Sequence, residues 1–336
     1  MESAGNGGCL VSVILPVRNE ERYLGAVLDD LSRQTLAKEK LEIIVVDGMS
    51  TDATVAIAEG FADRFPNFQV LENLQELSSV ARNIGYQVSR GEYIIIVDGH
   101  CEIPTENYLK DMVDLFEQHQ ADVLCRPAPL TVEPMTTFQR AVAAARASFF
   151  GHGLDSTIYS GEECQVQAVS AGTAYRRRVF EIIGLFDESF DACEDAEFNF
   201  RTDLAGLRAV TSPAMTIRYV ARRNLLDLWR QLYRYGRGRW RLLLKHPSSF
   251  SPGALIPPAL ALSLVLLPLW LLIFPPIAAV IGLLLALYLL LNLAMSVAIA
   301  AKENLKSLPI LPVIFATIHL ALGFGFLSGV FRKRKN

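Results

Sequence analysis

The sequence has no CxxC pair, no GxGxxG after its first apolar run, and no internal repeat or low-complexity linker. Its five cysteines, Cys9, Cys101, Cys125, Cys164 and Cys193, are scattered and odd in number. That pattern argues against a disulfide framework or a cysteine-rich zinc site, and the thiols read as reduced groups of a cytosolic domain. The missing glycine fingerprint counts against dinucleotide binding and so against a dehydrogenase. Charge of one sign is also not in excess. The net charge is −3, which gives no support for a nucleic-acid partner. Met1–Gly8 is polar and glycine-rich, and the apolar run Cys9–Val17 is followed by Arg18 and Glu20, an order that does not read as a cleaved secretory signal.

The most informative scarcity is local. From Met1 to about Pro247 charges recur and apolar runs are short, whereas from Ala254 to Val330 charges almost vanish. The first part predicts a globular domain over 1–224 with its own core. Residues 225–247 are amphipathic, arginine-rich and carry Trp229 and Trp240, a composition suited to a helix in the membrane interface. The remainder, 248–336, predicts a membrane domain with apolar segments near 254–274, 277–301 and 310–330, each about 20 residues and able to cross about 30 Å of hydrocarbon. Basic clusters flank it: Arg218, Arg222, Arg223, Arg230, Arg234, Arg237, Arg239, Arg241 and Lys245 before, and Arg332–Lys335 after. Such clusters favour the cytoplasmic side and anionic head groups of a cell membrane. A multi-pass arrangement with three full crossings puts the two clusters on opposite sides. Either one segment is re-entrant or the basic tail is external.

Within the first part, Leu10–Pro16, Leu41–Val46, Phe68–Leu71 and Tyr93–Val97 read as strands, alternating with helices from Asn19 as a cap, from Thr51 or Asp52 through Phe65, and over Ser78–Val88. Further on, Pro104–His119, Met135–Phe149, Arg178–Gly184 and Glu194–Leu204 predict helices, Asp122–Leu130 and Val166–Tyr175 extended chain, and Gly151–Glu163 a loop. Alternation of strand and helix predicts an α/β, mostly parallel, Rossmann-like sheet. Ligands of such sheets bind beyond the carboxyl ends of the strands. Pro16–Glu20, Asp47–Asp52 and Asp98–Glu102 all lie there, so three polar clusters converge on one crevice.

The order ILPVRNE, VVDGMSTD, ARNIG, VDGH, CEDAEFNFR, QLYRYGRGRW resembles the family 2 glycosyltransferases of the GT-A fold, and within them the succinoglycan-type exopolysaccharide branch. The resemblance covers about residues 10–245. It implies an inverting transfer of a hexosyl unit from a nucleotide sugar, expected to be UDP-linked, to a lipid-linked saccharide in surface polysaccharide assembly. A processive synthase is the alternative within the class; a nucleotidyltransferase or a non-catalytic membrane scaffold on the same fold is the alternative outside it.

The resemblance also implies roles. Asp98 and His100 stand where the family has Asp-x-Asp, and would bind a divalent cation, Mn²⁺ or Mg²⁺, with His100 in place of the second acid. Asp47 would read the nucleobase edge, with Gly48 where relatives often have a second Asp. Pro16, Arg18 and Glu20 would border the nucleoside. Arg82 would meet a phosphate or buttress Asp98. Asp195 would be the general base, with Glu194 orienting it or the acceptor, and Glu197 as a lesser competitor. Gly172 and Thr173, before the basic run Arg176–Arg178, would lie on the acceptor side. Gln231, Arg234 and Tyr235 resemble the family's Gln-x-x-Arg-Trp motif, the first two toward the donor and the aromatic toward the acceptor. Contact of the same basic helix with lipid phosphates is the alternative.

Overall fold

A computed structural model describes residues 9–152 and 162–331. The chain forms two compact units. One comprises residues 1–132 and 157–220, and the other 133–156 and 221–336.

The first unit runs β1 (Val11–Val17), α1 (Leu24–Ser32), β2 (Leu41–Asp47), α2 (Thr54–Glu59), β3 (Phe68–Glu72), α3 (Ser78–Val88), β4 (Tyr93–Ile96), β5 (Cys101–Glu102), α4 (Tyr108–His119) and β6 (Val123–Cys125). The chain then lends α5 (Thr137–Ala147) and α6 (Phe149–His152) to the second unit. It returns through β7 (Cys164–Val166), β8 (Gly172–Arg176), α7 (Arg177–Ile183), α8 (Glu194–Leu204), β9 (Ala209–Thr211) and β10 (Arg218–Tyr219). Among the described residues eight strands make one sheet in the order β3-β2-β1-β4-β8-β6-β9-β7, and β10 pairs separately with β5. The half β3-β2-β1-β4 is parallel, β8 runs against both β4 and β6, and β7 runs against β9.

All seven residues of β2 are buried, as a central strand covered on both faces requires. Successive side chains serve opposite cores. Val13, Leu15, Ile43, Val45 and Ile95 join one apolar cluster with α1 and α4. Ile14, Ile44, Val46, Ile94 and Ile96 join the other, with Phe180, Phe186 and Phe198. Helix α3 approaches β1 so closely at Gly85 that an added Cβ would stand 2.4 Å from Ile14 Cγ2.

Several expected boundaries move. Asn19 does not cap α1, which starts at Leu24 with Tyr23 before it. Asn19 instead adopts a left-handed conformation (φ 54°) and its Oδ1 accepts from the Thr51 N–H, stitching the first strand-end loop to the second. The helix expected through Phe65 stops at Glu59, ahead of Gly60, and a separate turn covers Ala62–Arg64. Helix α4 begins only at Tyr108. The extended segment Asp122–Leu130 shrinks to β6. Helix α5 starts behind a capping box in which Thr136 and Gln139 exchange hydrogen bonds. Residues 153–161 of the expected 151–163 loop lie outside the described residues.

The second unit continues with α9 (Leu225–Lys245), α10 (Ile256–Ile273), α11 (Pro275–Lys302) and α12 (Leu311–Phe331). Among the described residues three helices, Pro252–Ile273, Pro275–Lys302 and Leu311–Val330, are long and apolar enough to cross a membrane. The amphipathic helix α9 packs along α12 through glycines. A Cβ at Gly236 would sit 2.1 Å from Leu322 O, and one at Gly325 would sit 2.1 Å from Tyr233 O. Small residues thus let two backbones touch.

Gly85→Ala tests the tight seat of α3. Overpacking of this kind costs about 1–3 kcal/mol. The detergent-solubilised variant should melt about 2–10 °C lower in a thermal-shift measurement. An unchanged Tm would show that α3 can move away from Ile14 freely.

Candidate active site

The carboxyl ends of the parallel strands are tied together by backbone-to-side-chain hydrogen bonds. Asn19 N–H donates to Ser50 Oγ at 2.8 Å and Glu20 N–H to Thr54 Oγ1 at 2.7 Å. The Gly48 N–H donates to the Val17 carbonyl at 2.8 Å. Met49 and Glu76 share the left-handed conformation of Asn19. Asp47, at the tip of β2, is only 5% exposed. Its Oδ2 accepts from the Ser50 N–H, while Oδ1 is buried without a hydrogen-bond partner in the protein. Arg18 pairs with Glu76 at 2.6 Å, both about half exposed. Pro16 closes its side of β1, half-buried and in register with Val46.

Beyond β4, Asp98 is held from two sides. Its Oδ2 accepts from Arg126 Nη2 at 3.1 Å and from the Tyr219 hydroxyl at 2.6 Å. Arg126 follows β6 and also donates to the Ile96 carbonyl, and its guanidinium lies 5.2 Å from the Tyr219 ring centre. Thr173 Oγ1 donates to the same carbonyl at 3.0 Å. Two residues past Asp98, His100 Nδ1 meets Glu20 Oε1 at 2.9 Å. Gly99 between them is tight, since a Cβ there would come within 3.0 Å of Glu20 Cγ and Val17 Cγ1.

The opposite wall comes from α3 and α8. Arg82, 8% exposed, reaches Glu194 at 3.3 Å and lies over the Phe186 ring. Its neighbour Asn83 clamps the segment leading to α8: it accepts from the Phe186 N–H and donates to the Phe186 carbonyl and to Glu188. Cys193 then turns the chain through a left-handed residue (φ 62°) into α8. Glu194 is thereby buried against Arg82, while Asp195 is exposed. A single pocket is lined by Arg82, Ile96, Asp98, Arg126, Gly172, Thr173, Tyr175 and Asp195. Gly172 is needed there, because a Cβ would stand 2.6 Å from Asn199 Oδ1.

Charge in this pocket is mutually fixed. Burial alone would raise the Asp98 carboxyl, but Arg126 first, then His100 and Arg82 and the Tyr219 hydroxyl bond, more than offset it and hold the group down at about 2. Arg82 stays protonated by the same logic. Burial opposes its charge, and Glu194, Asp195 and Asp98 outweigh that and push its pKa up. No group of three or more His, Cys, Asp or Glu among the described residues is arranged to hold a metal by itself. Asp98 and His100 offer an ionised carboxylate and an imidazole. The Glu20 carboxylate can only accept, so it fixes the proton on His100 Nδ1, as the carboxylate behind a metal-bound histidine does. That donor pair suits a cation whose remaining ligands come from substrate phosphates and water.

The structure therefore brings Asp98, Asp195, Arg82, Gly172 and Thr173 to one pocket. Other expected residues are placed differently. Glu197 is fully buried and both its oxygens accept from Arg201, so it is no competitor for a base. Glu194 pairs with Arg82 rather than with Asp195. The basic run Arg176–Arg178 lies at the far end of β8, engaged with Glu92, Glu117, Gly91 O and Asp122, away from the pocket. Gln231, Arg234 and Tyr235 stand on α9 in the second unit, where Gln231 accepts from Arg222 and donates to the Tyr235 hydroxyl. Arg126 and Tyr219 were not singled out by spacing. Arg126 had a signal, since it follows an apolar strand as Asp47 and Asp98 do. Tyr219 had none, because only the pairing of β10 with β5 brings it to Asp98.

A depressed folded-state pKa makes ionised Asp98 a source of stability that is complete above about pH 4 and is lost as the pH falls toward about 2. In Arg126→Ala the strongest opposing charge is gone and Asp98 must titrate higher. The acid-unfolding midpoint of the solubilised variant, followed by circular dichroism, should rise by about 1 pH unit. A midpoint equal to that of the parent would dissociate Arg126 from the ionisation of Asp98.

Comparison with known proteins agrees with this architecture. Residues 12–182 match the family described as glycosyl transferase family 2. The succinoglycan biosynthesis protein ExoA of Rhizobium meliloti is 29% identical over 262 residues, covering 74% of each chain. A dolichyl N-acetyl-alpha-D-glucosaminyl phosphate 3-beta-D-2,3-diacetamido-2,3-dideoxy-beta-D-glucuronosyltransferase of Methanococcus voltae is 23% identical across 96% of this chain and 97% of its own. Among solved structures, the mannosyltransferase PcManGT from Pyrobaculum calidifontis with GDP-Man and Mn²⁺ superposes with a TM-score of 0.59 at 19% identity, over 95% of this chain and 87% of that one. S. aureus TarS with UDP does so with a TM-score of 0.51 at 18% identity, over 97% and 93%. The fold is thus that of the GT-A glycosyltransferases, and the family match spans more than half of the 336 residues. The chain belongs to glycosyl transferase family 2.

Proposed function

We propose that this glycosyltransferase is attached to the cytoplasmic face of the cell membrane and moves a hexosyl unit, with inversion, from a UDP-sugar to a lipid-linked saccharide in surface polysaccharide assembly. The observation that carries the reading is one pocket lined by Asp98, Asp195, Arg82 and Arg126. The likeness to a succinoglycan biosynthesis protein supports the polysaccharide assignment, and the apolar helices of the second unit support membrane attachment.

Each residue has a task in that reaction. The unpaired Oδ1 of Asp47 would accept a ring N–H of the base, which uracil and guanine have and cytosine and adenine lack. Arg18, Glu20 and Pro16 would border the nucleoside. Asp98 and His100 would hold a divalent cation, which when bound offsets the charge of the departing diphosphate. Asp195, exposed at the start of α8, would take the proton of the acceptor hydroxyl as that oxygen attacks the anomeric carbon from the face opposite the diphosphate. One carboxylate suffices, because a diphosphate needs no protonation to leave. Arg82 keeps Glu194 paired beside Asp195, so the base is the one acid of that pair open to solvent. Gly172 and Thr173 would line the acceptor side, and Gln231, Arg234 and Tyr235 would complete the donor and acceptor sites from α9.

A panel of UDP- and GDP-sugars offered to the purified full chain with Mn²⁺ or Mg²⁺ tests the donor. Slow nucleotide release is expected from a UDP-sugar, and Asp98→Ala should abolish it. Release from GDP-sugars alone would overturn the uridine donor, though not the Asp47 contact, which guanine can also make, and release from none, with lipid acceptors present, would leave a non-catalytic scaffold.

For the base, Asp195→Asn should retain donor affinity while transfer falls by about 10²–10⁴-fold, the size of a general-base contribution. Transfer near the parental rate would place the base on another residue.

A further inference from the structure

The three apolar helices of the second unit are not equivalent. In the most apolar window of α12, 44% is buried in protein, against 11% for each of the helices Pro252–Ile273 and Pro275–Lys302. One side of α12 is covered by α9, where Gly329 sits against Trp240 and Gly236 against Leu322. The Phe150 ring packs on Phe315 and His319. On the remaining side, Gly323 abuts the Pro257 carbonyl of α10, Asn292 of α11 donates to the Pro312 carbonyl at 3.1 Å, and the Tyr288 hydroxyl lies 3.0 Å from His319 Nδ1.

These contacts fall on the parts of α10 and α11 far from the turn that joins them at Phe274. Helix α12 therefore lies across the foot of the α10–α11 hairpin. Past that foot the hairpin is bare: between Leu262 and Leu287, Ala278 is buried and the other residues are exposed or half-exposed. The bare legs, Leu262–Ile273 and Pro275–Leu287, reach about 18–20 Å at helical rise, short of the roughly 30 Å of a hydrocarbon core.

The tip is built for lipid and not for water. From Leu264 to Leu287 no side chain carries a charge, an amide or a hydroxyl. Its backbone donors are also satisfied. Phe274 N–H donates to the Trp270 carbonyl at 2.9 Å and Ile277 N–H to the Phe274 carbonyl at 3.1 Å. The two positions between them are Pro275 and Pro276, which have no N–H to satisfy. A helix start without orphan donors is what a turn inside hydrocarbon requires. Helix α9, meanwhile, exposes Arg230, Arg234 and Arg239 while packed on α12. A membrane-crossing α12 would draw those guanidiniums toward the hydrocarbon.

We propose that α10–α11 is a re-entrant hairpin that enters the hydrocarbon of one leaflet and returns through the same face, with α12 lying at its foot instead of crossing. The chain is then held from one side. On this topology the arginines of α9 and the basic sequence that follows α12 fall on one side of the membrane, which removes the conflict that three crossings create for the two basic clusters. This rests on the membrane attachment proposed above, and a carbonate wash of vesicles carrying the full chain examines that attachment separately: release of the protein would end both readings.

With the chain retained, cysteine labelling by a membrane-impermeant maleimide decides the topology. Native Cys164, exposed on the catalytic unit, marks that unit's side. In a chain whose Cys9, Cys164 and Cys193 are replaced by serine, Phe274→Cys, and independently Leu272→Cys at a position 85% exposed, should label in neither intact cells nor sealed inverted vesicles, and should label fully after detergent. Lys335→Cys in that serine background should label from the same side as Cys164 of the native chain. Tip labelling from the side opposite Cys164, tip labelling in sealed vesicles, a tip still unreactive in detergent, or a tail on the opposite side would each overturn the hairpin.

Discussion

The catalytic unit depends on two buried guanidiniums, Arg126 and Arg82, that help keep the Asp98 carboxylate ionised in a confined cleft. Asp98 and Asp195 line one pocket, with Glu194 beside them. Burial alone would push the Asp98 carboxyl up, and Arg126, with His100 and Arg82, more than offsets that. Arg126 answers Asp98 and Arg82 answers Glu194, each from a different secondary-structure element. Both arginines are thereby committed. A nucleoside diphosphate entering the pocket brings more negative charge than these two can neutralise, which gives the proposed donor a physical need for a cation beside Asp98.

Geometry this exact has to be built from rigid loops. Four non-glycine residues, Asn19, Met49, Glu76 and Cys193, take the left-handed conformation in the loops after β1, β2 and β3 and before α8. Such residues cost of order 1–3 kcal/mol each and persist where surrounding bonds over-determine them. For Asn19 those bonds are visible: its side chain and backbone are both tied to the loop after β2. Ahead of Cys193, Ser79 and Asn83 of α3 hold Phe190 and Phe186, and the Cys193 carbonyl accepts from the Glu197 N–H. The left-handed turn then presents Glu194 and Asp195 in different environments, one buried and one open.

Much of this was legible in the sequence, and the reason is locality. Strands β1, β2 and β4 are short apolar runs, each followed at once by its polar cluster, so position along the chain predicts position in the sheet. Helices α3 and α8 fall where apolar spacing and leading acids put them. What local reading could not supply is direction and distance. Strand β8 runs antiparallel, which sends Gly172 and Thr173 to the pocket and Arg176–Arg178 to the opposite edge, although four residues separate the two ends. Tyr219 reaches Asp98 only because β10 returns to β5 from more than a hundred residues away. Asn19 looked like a helix cap because its oxygen can accept a backbone N–H, and it does accept one, but from the neighbouring loop.

The membrane unit shows the same limit in another form. Hydropathy states which solvent a helix could share, and on that measure α10, α11 and α12 are alike. What separates them is the spacing of small residues. Gly323, Gly325 and Gly329 give α12 surfaces on which backbones and aromatic rings can seat directly, and α9 answers with Gly236. Contacts at that range are strong in dispersion and need no water to drive them, so they form in a lipid setting as well. The tip of the α10–α11 hairpin has no such set of close glycine contacts: a Cβ added at Gly282 would meet open space. An apolar helix with glycines on its packing faces tends toward a protein neighbour. One with leucines all round and a proline turn free of orphan donors tends toward lipid, and the two classes occur here side by side within eighty residues of chain.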